Sequence, residues 1–388
     1  MTGIIQPSLA FARGSVLDAN VDARRPLGRS TPSAEAPRGP RWRVVAAATI
    51  ALGLAATAYV MASDESDPQP VEAPVVAPLI EAPVDAADLP AGSMYHVVDQ
   101  IGARSLWDAG ITGAGINVAV IDTGVAPVDG LADDGKVVAA IDLSSEASDS
   151  RTAYVDTNGH GTHMAGIIAG RESGAQPALA AQHPEWFLGV APDAGIVSVK
   201  VGNREGDVAP GGLVAAVNWV VDHADEHDIR VINLSVGSQS GLPATQDPLI
   251  AAVQRAWDAG IVVVTAAGNL GADSNGLLSP ASDPFVIAVA GADVSDTGIR
   301  AADWTSAGDG VRNPDVAAPG AHLQSLRAPG SDADVNHPEG FVDDETFQGS
   351  GSSQAAAVVA GAAALLLEQR PELTNDQVKA LLVDAAQP

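Results

Sequence analysis

From about Met94 to the end, short apolar runs interleave with longer segments whose apolar residues recur at helical spacing. Strands are predicted over Asn117–Asp122, Val137–Ile141, Ile196–Val201, Arg230–Leu234, Ile261–Thr265 and Phe285–Val289. Helices are predicted over Gly212–Asp225, Pro248–Asp258, Ser353–Glu368 and Asn375–Ala385. Short apolar strands alternating with helices of this length argue for an α/β fold, a doubly wound, mainly parallel sheet flanked by helices.

Upstream of Met94 the pattern is different. Val44 to Ala62 is a run of 19 residues without a charge, flanked by Arg41 and Arg43 before it and by Asp64 and Glu65 after it. As a helix it would measure about 28 Å, close to the hydrocarbon thickness of a bilayer. It has no polar face, so a buried core helix is a poor reading. Residues 1–43 hold seven Arg and three acidic residues, and no Lys or Arg follows Arg43 until Arg104. That asymmetry predicts a single-pass transmembrane helix over 44–62, with 1–43 as a basic cytoplasmic tail and everything after Ala62 outside. A cleavable signal ending at Val60-Met61-Ala62 is the competing reading and would give a secreted protein; its n-region would be long. Residues 63–92, rich in Pro, Ala and acids, read as an extended, solvated linker. The folded domain is then 93–388.

Composition narrows the function classes. The 388 residues carry a formal charge of −28, and the only lysines are Lys136, Lys200 and Lys379, which argues against nucleic-acid binding. The absence of cysteine removes disulfide scaffolds, Cys-based metal sites and thiol nucleophiles.

Three segments carry candidate chemistry. Val118-Ala119-Val120-Ile121-Asp122-Thr123-Gly124 places an acid at the carboxyl end of a buried strand, where α/β sheets expose functional groups, although a lone Asp-Thr-Gly also suits a plain turn. Asp156-Thr157-Asn158-Gly159-His160-Gly161-Thr162-His163 surrounds a histidine with glycines that allow close backbone approach. His160 and His163 stand three apart, but no glutamate or third ligand completes a zinc arrangement, so no metal site is predicted. His163 reads as a buried, hydrogen-bonded structural histidine. Gly349-Ser350-Gly351-Ser352-Ser353, leading into an Ala-rich helix, places a serine at a helix N-terminus, where N–H groups and the dipole favour developing negative charge. Taken singly, it could be a simple N-cap.

Together, in the order Asp, His, Ser, these segments resemble the subtilisin-like serine proteases. The resemblance runs from about Tyr95 to the end. It extends to Gly189-Val190-Ala191-Pro192, Val197 to Val201, Asn233 to Gly237, Val316 to Gly320 and Ala266-Ala267-Gly268-Asn269. It implies a serine endopeptidase working through an acyl-enzyme, with Ser353 as nucleophile, His160 as base and Asp122 orienting His160. Asn269 and the Ser353 N–H are implied as oxyanion donors. Ser235, Val236 and Gly237 with Ala266, Ala267 and Gly268 are implied to flank an extended polypeptide substrate. No cofactor is required; calcium is left open, since Arg171 to Phe187 shows no recognisable form of the family's calcium loop.

The chain departs from the family at Gln354, where methionine is usual, and at Ala357 and Val358, where proline and histidine are usual. Residues 63–92 are too short and too Pro-rich for a folding propeptide. Leu278, two before Pro280, falls near the expected floor of the primary specificity pocket and implies an apolar, shortened one. Two rival readings compete with this one. An aspartic protease is raised by a second Asp-Thr-Gly at Asp296, Thr297 and Gly298, but that fold is all-β and this triplet follows no apolar strand. An inactive, membrane-tethered binding module is opposed by the presence of nucleophile, base, orienter and oxyanion donor together.

Overall fold

The computed structural model describes residues 84–386, apart from 134, 239–241, 275 and 296–297. The predicted tail 1–43, the predicted span 44–62, most of the 63–92 linker, and Asp296 and Thr297 lie outside the described residues. Among the described residues no helix is long and apolar enough to cross a membrane.

In chain order the helices are α1 (Met94–Gln100), α2 (Ala103–Asp108), α3 (His160–Ala169), α4 (Gly212–Asp222), α5 (Pro248–Asp258), α6 (Asp332–Asn336), α7 (Ser352–Gln369) and α8 (Asn375–Ala385). The strands are β1 (Asn117–Asp122), β2 (Val137–Asp142), β3 (Gly195–Lys200), β4 (Ile229–Leu234), β5 (Val262–Ala266), β6 (Ile287–Ser295), β7 (Gly298–Ala301), β8 (Val316–Pro319), β9 (Leu323–Leu326) and β10 (Thr346–Gly349). The main sheet runs β2-β3-β1-β4-β5-β6-β7, with β8 also paired to β6. All its pairings are parallel except β6 with β7. β9 and β10 form a separate antiparallel pair.

Both faces of the central strands are buried, as the continuous apolar runs in β1, β3, β4 and β5 require. Helix α7 packs against β4, β5 and β6 and against α3, while α4 and α5 pack on each other and on β1 and β5. These two helix pairs cover the sheet as separate layers, which is the doubly wound arrangement. It also removes the all-β aspartic-protease reading.

The predicted elements are present, with shifted edges. The strand expected at Phe285–Val289 begins at Ile287 and continues to Ser295. Pro284 and Phe285 are held by side chains instead of a ladder: Asp283 accepts the Phe285 N–H at 2.8 Å and Lys379 donates to the Pro284 carbonyl at 2.7 Å. Helix α4 stops at Asp222, three residues short of expectation, because the His223 ring folds back and donates from Nδ1 to the Trp219 carbonyl at 2.8 Å.

Strand order places the site. From β1 the chain fills positions to one side with β2 and β3, then crosses to the other side with β4, so the crevice between the carboxyl ends of β1 and β4 is the topological switch point. The registers Ile121↔Leu234 and Leu234↔Thr265 set Asp122, Ser235 and Ala266 in one row at that edge.

Candidate active site

Asp122 ends β1 and is fully buried. Its Oδ1 accepts the Thr123 N–H at 2.8 Å and faces His160 Nδ1 at 2.8 Å, while Oδ2 is buried without a partner. A carboxylate can only accept here, so the imidazole carries its proton on Nδ1 and presents Nε2 to the cleft.

His160 is the first residue of α3, after Gly159 at φ 105°. The helix start is pressed onto the turn that follows β1: a Cβ on Gly161 would stand 2.2 Å from the Gly124 carbonyl oxygen, so only glycine fits there. Asp156, also buried, secures this approach. Its Oδ1 accepts from Thr123 Oγ1 at 2.8 Å and from the Gly159 N–H at 2.7 Å, and its Oδ2 accepts from the Thr162 N–H at 2.7 Å and Oγ1 at 2.6 Å. Thr123 Oγ1 in turn accepts the Gly161 N–H at 2.9 Å. One carboxylate thereby ties the β1 turn to the first turn of α3.

Burial pulls the His160 pKa down, but the charge and hydrogen bond of Asp122 and the charge of Asp156 outweigh it, leaving the group raised above 6.5. His163 lacks such partners. Burial, and after it the charge of His160, push it down to about 3, and its Nε2 is buried without a hydrogen bond. It stays neutral and buried as expected, but the hydrogen bond expected of it is not made at Nε2.

Lys200, at the end of β3, is fully buried and donates to the Thr123 carbonyl at 2.8 Å and the Gly202 carbonyl at 3.0 Å. Its charge is met by Glu146 at 3.0 Å, which also accepts from Thr157 Oγ1 at 2.7 Å. This pair fastens the segments on either side of Asp122 and His160.

Ser353 is the second residue of α7. Its hydroxyl donates to the Ser235 carbonyl at 3.0 Å, and Ser235 Oγ donates back to the Ser353 carbonyl at 3.2 Å; no hydrogen bond joins Ser353 to His160. Asn269 lies beside it. Its side chain faces the Ser352 N–H at 2.9 Å, and an N–H can only donate, so the atom there is Oδ1 and the two Nδ2 protons point elsewhere. Ser352 Oγ also donates to Oδ1 at 2.9 Å and accepts the Gly268 N–H at 3.1 Å. Asn269 is thus fixed by the helix that carries Ser353.

The predicted residues therefore fall at one edge: Asp122, His160, Ser353 and Asn269, with Ser235–Gly237 after β4 and Ala266–Gly268 at the end of β5. An open cleft beside His160 is lined by Asp122, His160, Ser235, Val236, Gly349 and Gln354, and beyond these by Glu205, Asp332 and His337. Among the described residues no group of three or more His, Asp or Glu could hold a metal ion. Reading the sequence missed Asp156, Ser352 and the Lys200–Glu146 pair as supports. The signal for Asp156 was its place before Asn-Gly at the start of a helix, a common spot for a carboxylate that accepts several N–H groups. The segment 331–333, which braces this turn through Asp332 N–H to the Thr157 carbonyl at 2.9 Å and Ala333 N–H to the Asn158 carbonyl at 2.9 Å, carried no signal.

Comparison with known proteins agrees with the motifs. The subtilase family model matches residues 113–388. The chain is 36% identical over 286 residues to serine protease AprX of Bacillus subtilis (strain 168), covering 70% of this chain and 61% of that protein. It is 34% identical over 279 residues to a thermostable alkaline protease of Halalkalibacterium halodurans, covering 72% of this chain and 64% of that one. It thus spans under two thirds of the length of these relatives. Among solved structures, a cold-adapted subtilisin-like serine proteinase superposes with a TM-score of 0.52 at 29% identity, covering 71% of this chain and 83% of that one. A parallel sheet with the Asp, His and Ser segments in this order at its carboxyl edge, and a family match over most of the folded chain, lead to one assignment: the chain belongs to the subtilase family.

Proposed function

We propose that the protein is a serine endopeptidase that binds polypeptides in extended form and cleaves them through an acyl-enzyme. The observation that carries this reading is the Asp122–His160 hydrogen bond of 2.8 Å at the sheet edge where Ser353 opens α7. Ser353 Oγ leaves the Ser235 carbonyl by rotation about χ1 and meets His160 Nε2, which takes its proton as Oγ attacks the scissile carbonyl carbon. Asp122 keeps the ring oriented and stabilises the imidazolium. The carbonyl oxygen, now negative, is met by Asn269 Nδ2 and the Ser353 N–H, a first-turn donor with no intrahelical acceptor. His160 then protonates the departing amine, and water releases the acyl group by the same route reversed.

The segments 235–237 and 266–268 are read as backbone partners of the substrate strand, which permits many sequences at most positions. The domain 93–388 is read as the catalytic part, held outside the cell membrane by a single span over 44–62 and a linker over 63–92, with the basic tail 1–43 in the cytoplasm. The charge of −28 speaks against a nucleic-acid partner. Labelling with a fluorophosphonate tests the chemistry: the parent should be labelled at Ser353 and Ser353→Ala should lose labelling and peptide cleavage together. A parent that takes no label would return the inactive binding module as the better account.

A further inference from the structure

On the endopeptidase reading above, the substrate residue just before the scissile bond must place its side chain beside Ser353, between the segments 235–237 and 266–268. Each of these segments has a glycine there, Gly237 and Gly268, and two bare backbones facing across a gap ordinarily leave room for a substrate side chain. Here the gap is filled. A Cβ on Gly237 would stand 3.0 Å from Leu278 Cβ, and one on Gly268 would stand 2.8 Å from Leu278 Cγ, so the leucine lies against both backbones. Leu278 is only 9% exposed. Ser306 also crowds the Gly268 wall, its Oγ standing 2.9 Å from where a Cβ on that glycine would be.

Leu278 is also held in place. Its N–H donates to the Ala267 carbonyl at 3.2 Å, and the next residue pairs with Ser238 in both directions, at 2.8 and 2.9 Å. Leu278 is therefore bonded to one wall directly and to the strand continuing the other through Ser279. The chain that follows is clamped in turn, as Arg312 donates to the carbonyls of Ala281 at 3.2 Å and Asp283 at 2.9 Å.

We infer that Leu278 is a specificity-determining residue that plugs the primary pocket, and that the enzyme cleaves after residues with small side chains, glycine, alanine and serine, rejecting aromatic and long ones. An aromatic ring at this position would have to displace a leucine anchored on both sides. Burial of such a ring in an opened slot is worth a discrimination of about tenfold or more.

The test is cleavage of a peptide library by the full chain, read as kcat/KM according to the residue before the cut. The parent should favour alanine over phenylalanine by about tenfold or more, and Leu278→Gly should bring phenylalanine level with alanine or above it. Leu278→Ala, which keeps Cβ against Gly237 but removes the Cγ and Cδ1 that lie against Gly268, should move part of the way and guards against a glycine variant that fails to fold. A parent that is labelled by fluorophosphonate yet cleaves after phenylalanine as well as after alanine overturns this inference alone. A parent that takes no fluorophosphonate overturns the endopeptidase reading and this inference with it.

Discussion

A base can accept a proton only when it is neutral, so the raised pKa of His160 has a kinetic consequence. On the proposed mechanism kcat/KM rises with pH through the folded-state pKa of His160, and the midpoint of that acid limb should lie above 6.5. Asp122→Asn removes the charge that raises it. The limb should then move to lower pH, and kcat should fall by about 10⁴ because the ring loses its enforced tautomer. An unmoved limb would mean that another group controls it. Asn269→Ala should leave fluorophosphonate labelling slow but measurable while kcat drops by about 10²–10³, the usual loss for one oxyanion donor. Asp122, His160 and Ser353 were legible as candidates because three motifs, each weak alone, stand in one order along the chain, with Gly159 and Gly161 around His160, glycines ahead of Ser353 and a strand end at Asp122; Asn269 was legible only through the family resemblance. Asp156 and Ser352 were not legible. Their work consists of accepting and donating across a fold; the local pattern marks Asp156 only as a turn carboxylate and Ser352 only as a cap residue, and neither marking reveals the tertiary role.

Elements with strong end signals were read to the residue. Helix α5 starts where Asp247 accepts the Leu249 N–H at 2.9 Å and Pro248 occupies the first turn, and α8 starts at a capping box between Thr374 and Gln377. Strands β7 to β10, of four residues each, gave no periodicity to detect. The start of β6 was misjudged because a tertiary cluster decides it. Arg312 grips Asp315 with two parallel hydrogen bonds at 2.8 and 2.9 Å, and Lys379 reaches the same carboxylate at 3.1 Å. Burial alone would raise the Asp315 pKa; the bonds from Arg312 and the Ala288 N–H, with the charge of Lys379, outweigh it and hold the group below its usual range. Its contribution to stability is therefore present at neutral pH and lost as pH falls through that depressed pKa. Arg312→Ala removes the two-pronged partner of a largely buried carboxylate, leaving it only Lys379 and the Ala288 N–H, and withdraws a donor from four carbonyls, those of Ala281, Asp283, Val286 and Asn313. Urea unfolding should show a loss of about 3 kcal/mol. A change under about 1 kcal/mol would show that the cluster is no more than a surface ion pair.

At the scale of the molecule, the proposed topology makes a clear prediction. Treatment of intact cells with an external protease should remove the 93–388 domain while an epitope fused to the N-terminus stays protected. Recovery of the protein only as a soluble species beginning near Ser63 would favour the cleaved signal instead. Composition carried this part of the argument, since a charge-free run and a base-free stretch need no tertiary information to be seen. The layered sheet was legible for the same reason, its strands being apolar on both faces. The position of α7 within it has a further consequence. The helix that carries Ser353 is also the one that covers β4, β5 and β6, and all but four of its residues are buried. Asp122, His160 and Asn269 emerge during synthesis well before it. Until α7 arrives, a growing chain has a base and an oxyanion donor but no nucleophile, and its sheet lacks one apolar cover. On the proposed mechanism, docking of that helix completes the interior and the reactive group in one event, so a partly made chain would be unable to digest itself or its neighbours and would become armed only as it becomes stable.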